Sequence, residues 1–271
     1  MVRSLWTAAT GMISQQLNVD TIANNLANVN TVGYKAEVAE FKSLLYQEIQ
    51  TKTTSANGEN KPVGAQVGLG VRNSAITSIF EQGSLLESES TTDFAISGSG
   101  FFALRGADGE TYYTRNGNFG FTTAQNGMML ANSDGLPVLD TTGKPIILGT
   151  QYTASRIGVN NEGQLTYPDA NNAPQLLNIQ IGVYQFTNPS GLEKVDSTMY
   201  KVSTASGAAI NESNNNNVQK SEIVQGYLEG SSVQVADEMV NLIVAQRAYE
   251  MNSKAITTSD EMLQQANQLK R

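Results

Sequence analysis

Apolar residues recur every seven positions in a long segment near the C-terminal end of the chain. Residues 233–270 contain neither Gly nor Pro. A seven-residue repeat places apolar side chains along one nearly straight stripe of an α-helix, as in a coiled coil. We predict a helix of about 55 Å, at ~1.5 Å rise per residue, whose stripe is too long for one compact core to cover. One row is Val235, Leu242, Tyr249, Ile256 and Leu263, and a second is Ala248, Ala255, Met262 and Leu269.

Residues 4–30 carry a second seven-residue pattern, weakened by small and amide side chains. Gly11 would cost up to ~1 kcal/mol relative to Ala in a helix interior, unless a close neighbouring helix needs the space. This segment would also suit an ordinary amphipathic helix packed on its own domain. Two such stripes in one chain favour packing of the terminal helices against each other. The predicted contact residues here are Leu5, Met12, Val19, Ile22 and Leu26.

The middle of the chain alternates apolar and polar residues with a period of two, which is typical of β-strands. Asp-Gly, Asn-Gly and Glu-Gly pairs at 108–109, 126–127, 134–135 and 162–163 indicate turns between them. Many short strands with frequent turns predict an antiparallel sandwich or partial barrel. The predicted strands are residues 71–80, 94–105, 112–121, 128–130, 146–148, 157–159, 164–167, 176–186 and 199–202.

These patterns together predict an α+β chain with paired terminal helices, an inserted antiparallel all-β domain and an extended arm. Residues 1–31 and 232–271 would form a helical coiled-coil domain, and residues 32–70 a linker and arm. Residues 71–203 would form the β-domain, and 204–231 a return linker. Residues 51–67 are rich in Thr, Asn, Gly and Lys, and long irregular segments of this kind are usually functional or disordered.

Composition excludes several kinds of chemistry. The formal net charge of -8 argues against a nucleic-acid partner, because phosphate binding needs a basic surface. The chain has no Cys and no His, so thiolate and imidazole sites are absent. No apolar run reaches the ~20 residues that span a bilayer, and the N-terminus lacks the apolar block of a cleaved signal peptide. We therefore predict no cofactor, no metal, no catalytic residues and no membrane insertion.

A few local patterns allow a more specific function but are better explained structurally. Tyr112, Tyr113, Phe119 and Phe121 would suit stacking on a sugar, but aromatic residues in a strand core are several times more common. Arg115 would suit anion binding, and a charge on a hairpin is the favoured interpretation. No set of residues nominates a reaction, so we predict that the chain is not an enzyme.

Three stretches resemble the bacterial flagellar rod and hook proteins. The first is Asn-Asn-Leu-Ala-Asn-Val-Asn-Thr-Val-Gly-Tyr-Lys at 24–35. The second begins with Phe-Ala-Ile-Ser-Gly-Ser-Gly-Phe-Phe at 94–102 and ends with Tyr-Thr-Arg-Asn-Gly-Asn-Phe at 113–119. The third is Gln-Arg-Ala-Tyr-Glu-Met-Asn-Ser-Lys-Ala at 246–255. The motif residues singled out are Asn24, Asn25, Asn28, Gly33, Tyr34, Gln246, Arg247 and Tyr249.

The resemblance implies a structural subunit of the flagellar basal body. Length, and a segment at 46–70 similar to the arm of distal-rod members, make the chain most like that type. The resemblance implies a homo-oligomeric helical tube that transmits torque, with other rod and hook proteins at its ends. It also implies a periplasm-spanning location and export by the flagellar type III apparatus without a cleaved signal.

Two alternatives remain open. A hook or proximal rod protein of the same family would share the fold, and a carbohydrate-binding or adhesin β-module with oligomerising helices would share the domain order. The residues that mark the arm are Thr51, Gly58, Pro62 and Val67.

Overall fold

The computed structural model describes residues 2–50, 65–124, 127–169, 173–215 and 218–269. It confirms an α+β chain with one long helix near each end and antiparallel strands between them. Two compact units divide the chain. The helix unit comprises Met1–Leu26, Glu37–Thr77 and Gln234–Arg271, and the β unit comprises Ala27–Ala36 and Ser78–Val233.

The two long helices lie in the helix unit. Helix α1 spans Val2–Ala27 and helix α2 spans Val235–Gln268. Helix α1 is followed by an Asn-rich turn in which the Thr31 amide donates to the Asn28 carbonyl. Asp237 and Glu238 lie in the first turn of α2, where carboxylates complement the positive end of the helix dipole. The residue preceding α2 is Gln234.

Two small antiparallel sheets complete the helix unit. Strand β1 pairs with β4, and β2 forms a hairpin ladder with β3. Strand β3 overlaps the end of the segment 51–67, which was predicted to be irregular, so residues 65–67 are strand instead. The bounds are β1 (Glu37–Ser43), β2 (Tyr46–Gln50), β3 (Ala65–Gly68) and β4 (Val71–Ser78).

The β unit holds sixteen described strands, all paired antiparallel where a ladder is present, and two short 3-10 helices, Ala154–Arg156 and Pro189–Gly191. Its largest sheet has the order β16-β17-β8-β7-β15-β18. The strands are β5 (Leu85–Glu87), β6 (Phe94–Ser97), β7 (Phe101–Arg105), β8 (Thr111–Thr114), β9 (Phe119–Ala124), β10 (Gly127–Asn132), β11 (Ile147–Leu148), β12 (Gly158–Val159), β13 (Gln164–Pro168), β14 (Pro174–Gln180), β15 (Val183–Gln185), β16 (Glu193–Lys194), β17 (Met199–Lys201), β18 (Ile210–Asn211), β19 (Glu222–Gln225) and β20 (Tyr227–Glu229).

The core of the β unit is built from alternating strand residues. One cluster surrounds Ile96, Phe102 and Leu104, and a second surrounds Phe101 and Tyr200. Phe101 and Phe102 therefore supply opposite faces of β7 to two different clusters, as the period of two requires. Phe119 packs edge to face with Phe102 and Tyr113 with Phe186, which confirms the assignment of these two predicted aromatic residues to the core. Tyr112 and Phe121 are half-buried against the first cluster.

Three predicted strands are each broken in two. The predicted strand 94–105 is β6 and β7, separated where Gly98 has a φ of +134°. The predicted strand 112–121 is β8 and β9, separated by the loop that carries Arg115, and 176–186 is β14 and β15. Alternation continues across each break, so periodicity alone does not reveal it.

Candidate assembly surface

Helices α1 and α2 contact each other in antiparallel order within the helix unit. The Ser4 and Ser259 hydroxyls lie 3.4 Å apart, and the Asn25 side-chain amide donates to the Glu238 carboxylate at 3.0 Å. Between them, Gly11 faces Asn252. Each step of seven residues along α1 is matched by an equal step backwards along α2, so these contacts keep one register over 21 residues.

The side chains at these contacts are small or polar. Ala245 and Asn25 are almost fully buried, whereas the predicted apolar contacts are mostly half-buried. Val19 and Tyr249 line one groove of the helix unit together with Gln246, so residues from both predicted stripes meet there. Ile22 is buried, Val235 and Tyr249 are exposed, and Leu5, Met12, Val19, Leu26, Leu242, Ile256 and Leu263 are intermediate in the single chain.

A second apolar face of α2 is uncovered in the single chain. At 100° per residue it lies opposite the row that contacts α1. Ile243 is 56%, Val244 63% and Met251 67% exposed, and Met239 and Val240 extend the same face. A helix with an apolar face that is uncovered in the single chain needs a further partner, and exposed apolar patches of this kind mark interaction surfaces. Sequence reasoning missed these five residues because the two seven-residue rows it followed, beginning at Val235 and Ala248, include none of them.

The close approach at Gly11 explains why a glycine lies inside α1. A Cβ atom there would lie 2.9 Å from the Asn252 side-chain nitrogen. In an Asn252→Ala background we expect Gly11→Ala to raise the free energy of unfolding by about 1 kcal/mol, the helix propensity difference. In the wild-type background the same change should gain clearly less, because Asn252 must move. Urea denaturation followed by circular dichroism measures both, and an equal gain in both backgrounds would contradict the close-approach explanation.

The asparagines of the N-terminal motif organise the end of α1. Asn25 accepts a hydrogen bond from the Glu37 amide at 2.9 Å and donates one to the Glu37 carbonyl at 2.8 Å. Asn24 donates to the Glu37 carboxylate. In the β unit, the Asn28 side chain accepts from the Thr31 hydroxyl at 3.1 Å. The side-chain amides of Asn24 and Asn25 thus attach the last turn of α1 to Glu37 at the start of β1.

Arg115 belongs to a buried cluster of three charges, so its interpretation as a hairpin charge is wrong. Lys35 and Glu229 are 0% exposed and Arg115 is 2% exposed. The Lys35 ammonium donates to one Glu229 oxygen at 2.6 Å, and Arg115 donates to the other at 3.2 Å. Burial lowers the pKa of Lys35 and of Arg115 from their ordinary values, while the Glu229 carboxylate opposes that shift.

The remaining motif residues have separate positions. Gly33 has a φ of +70° and lies against the backbone of Arg115 and Asn116. Tyr34 is fully buried, with the Lys194 ammonium 4.7 Å from its ring centroid. On α2, Arg247 forms an exposed ion pair with Glu250.

The arm residues are only partly described. Thr51, Gly58 and Pro62 lie outside the described residues. Val67 lies in β3 opposite Gln47. Leu45 is 83% exposed beside this hairpin, and Tyr46, Ile49 and Leu69 add further exposed apolar surface.

The described residues show little that would suit metal binding or membrane insertion. No group of three or more acidic, His or Cys side chains in this part of the chain could hold a metal ion. None of the helices that the structure describes is long and apolar enough to cross a membrane.

Comparison with known proteins assigns the chain to a family. Residues 5–35 match the description "Flagella basal body rod protein", residues 95–167 "Flagellar hook protein FlgE/F/G D1 domain", and residues 224–269 "Flagellar basal body rod FlgEFG protein C-terminal". The chain is similar over its whole length to the flagellar basal-body rod proteins FlgG of Borreliella burgdorferi, at 44% identity, and Bacillus subtilis, at 37%, and both relatives are fully covered. It is 33% identical to the hook-basal body complex protein FlhP of Bacillus subtilis, over 97% of each chain. The chain therefore belongs to the flagellar basal-body rod protein family and is of the FlgG type.

Proposed function

We propose that this chain, a structural subunit of the flagellar distal rod, polymerises into a rigid helical tube that transmits torque from the motor to the hook. The observation that carries this proposal is the uncovered apolar face of α2 at Met239, Val240, Ile243, Val244 and Met251. Burying that face against copies of the same chain would remove it from water and stabilise the assembly by ~25 cal/mol per Å² of apolar area buried.

The contacts between subunits would join different surfaces. One face of α2 already contacts α1 within the chain, where Asn252 faces Gly11 and Glu238 accepts from Asn25. A neighbouring subunit would therefore meet the opposite face, and such head-to-tail contacts build open helical assemblies unless their rotation closes a ring. Closely packed helices are nearly incompressible, so a wall built from them resists bending.

The terminal helices would pair as a coiled coil within each subunit. In this proposal residues 1–31 and 232–271 form the helical part, 32–70 the linker and arm, 71–203 the β-domain and 204–231 the return. The half-buried Leu5, Met12, Val19, Leu26, Leu242, Ile256 and Leu263 would become buried in the assembly, where the exposed Val235 and Tyr249 would also find partners. Other rod and hook proteins would meet the tube at its ends. The subunit would reach the periplasm-spanning rod through the type III export apparatus without a cleaved signal.

The arm would stiffen the tube. Its described base is a two-stranded hairpin with exposed Leu45, Tyr46 and Ile49, and isolated hairpins of this kind are marginally stable in water. Contact with a neighbouring subunit would supply the missing partner surface.

Deleting residues 51–67 tests this function. We expect full-length protein to polymerise into straight tubes and the deletion variant to give curved or shorter ones, seen by electron microscopy of purified protein. A variant in which Gly-Ser residues of equal length replace 51–62 separates the role of the arm's sequence from its length. Absence of tubes from full-length protein under all conditions would contradict polymerisation, and unchanged stiffness in the deletion variant would contradict the role of the arm.

A further inference from the structure

The cluster of Lys35, Arg115 and Glu229 lies within the β unit, and Lys35 and Glu229 are near the ends of its chain segments. The chain crosses the unit boundary four times, and three of those crossings follow Ala36, precede Ser78 and follow Val233. We call residues 33–36, 79–83 and 229–233, all in the β unit, the three passages. The structure therefore places a buried charge cluster on the segments that lead out of the β unit.

Glu229 is bonded to all three passages. Its carboxylate accepts from Lys35 in the first passage at 2.6 Å and from the Gly83 amide in the second at 2.9 Å. Glu229 itself lies in the third, and its backbone carbonyl accepts from the Gly33 amide at 2.8 Å. Arg115 links the same carboxylate to the body of the β unit, because its other nitrogen donates to the Gly98 carbonyl at 2.6 Å.

Backbone hydrogen bonds join the same passages side by side. The Ser232 amide donates to the Tyr34 carbonyl at 3.1 Å, and the Ile79 amide donates to the Ala36 carbonyl at 2.8 Å. The Ala36 amide donates to the Ser232 hydroxyl at 2.9 Å. The first passage is thus hydrogen-bonded to both of the others.

The charges of the cluster make Glu229 the residue whose removal should destabilise it most. Both cations contact the Glu229 carboxylate directly, while Glu81 attracts Lys35 and Glu212 attracts Arg115 without a direct ion pair among the described residues. Removing the Glu229 carboxylate would therefore leave two buried like charges side by side without their shared partner. An uncompensated buried charge is strongly unfavourable, whereas removing one of the two cations leaves a balanced pair. The flexible ammonium of Lys35 would then move towards water and draw the first passage with it.

We propose that Glu229 acts as a charge lock that closes the three passages together, so that the N-terminal motif at Gly33 and Lys35 is fixed only when the C-terminal return has docked. The lock couples residues 194 positions apart in the chain. It concerns the folding of a single chain and stands independently of polymerisation. The competing explanation is apolar packing, since Tyr34 in the first passage is also fully buried.

Native-state hydrogen exchange of the full-length chain distinguishes the two explanations. We expect Glu229→Gln to lower protection at the amides of Gly33, Ile79, Gly83 and Ser232 at least 10-fold more than at the core amides of Val138 and Leu139. The matched control is Glu110→Gln, which makes the same chemical change in an exposed ion pair. The Glu110 carboxylate lies 3.7 Å from the Lys201 ammonium, and their side chains are 56% and 40% exposed, respectively. That variant should leave all six amides unchanged.

Lys35→Met provides a milder second test, because it leaves the Glu229–Arg115 pair balanced. We expect protection of the Gly33 amide to fall at least 10-fold while that of Gly83 is kept, since Gly83 still donates to Glu229. If Glu229→Gln does not fold, Lys35→Met decides alone. Equal protection in Glu229→Gln and Glu110→Gln, a uniform fall at passages and core, or an unchanged Gly33 amide in Lys35→Met would each overturn the lock in favour of packing.

Discussion

Replacing Ile243 with Asp is expected to abolish polymerisation and swimming while the isolated subunit stays folded. Ile243 is 56% exposed on the uncovered face of α2, so the folded monomer loses little beyond a helix propensity difference of less than ~1 kcal/mol. In the tube the same carboxylate would be buried against a neighbour without a partner. Leaving a buried charge uncompensated in this way costs about 3–5 kcal/mol, and the cost arises at every subunit contact. Thermal unfolding of the monomer, electron microscopy and motility in soft agar measure the three effects.

Asn241→Asp is the matched control for Ile243→Asp. It adds the same charge two positions away on the same helix, at an exposed residue that is already polar. We expect this variant to polymerise and swim. Tubes and normal swimming from Ile243→Asp, or loss of tubes in both variants while both monomers stay folded, would contradict the assignment of this face to subunit contacts.

Gly33→Ala is expected to lower the free energy of unfolding by about 2–5 kcal/mol. Two effects add at this position. The φ of +70° is unfavourable for any residue with a Cβ atom, at about 1–2 kcal/mol. The added Cβ would also lie 2.5 Å from the Asn116 amide nitrogen and 2.7 Å from the Arg115 carbonyl carbon, neither of which is a flexible side chain. Overpacking of this kind typically costs a further 1–3 kcal/mol, roughly.

Gly109→Ala separates the two effects at Gly33. Gly109 has a φ of +83° but nothing within 4 Å of its added Cβ, so only the conformational cost of about 1–2 kcal/mol remains. Urea denaturation of both variants gives the difference directly. Equal destabilisation at the two positions would show that the approach of Gly33 to the Arg115 loop contributes nothing to stability.

The helices were predictable because their signals are local. A period of seven without Gly or Pro places α2 within two residues of its observed ends. The strands were predictable as a set, but not their breaks at Gly98 and before β15. At such a break the backbone turns while the apolar alternation continues, so the pattern carries no sign of it.

The buried charge cluster was not predictable because its partners are far apart in the chain. Lys35 lies in a motif that the sequence analysis quoted, yet nothing near it indicates Glu229 as its partner. Arg115 looks like an ordinary hairpin charge until the fold buries it. Lone charges of this kind are usually solvated, and only tertiary contact distinguishes the exceptions.

The polar seam between α1 and α2 was also missed. Both predicted stripes lie on observed helices, but the closest contacts between α1 and α2 run through Gly11, Asn25, Asn252 and two serines rather than through the leucines. Small and amide residues weakened the apolar pattern of α1 for a physical reason, since they allow close approach and hydrogen bonding across the pair. The interruptions in the stripe were themselves a signal of the contact.

Thiol labelling of an Ile243→Cys variant tests the assembly of this chain most directly. The chain contains no Cys, so the introduced thiol is the only reactive one. We expect a maleimide reagent to modify this thiol rapidly in the monomer and at least 10-fold more slowly in assembled tubes. As a control, the thiol of an Asp108→Cys variant, in an exposed turn, should react in the monomer about as fast as the Ile243→Cys thiol does in the monomer. Equal reactivity of the Ile243→Cys thiol in monomer and tube would show that this face of α2 is not the contact between subunits.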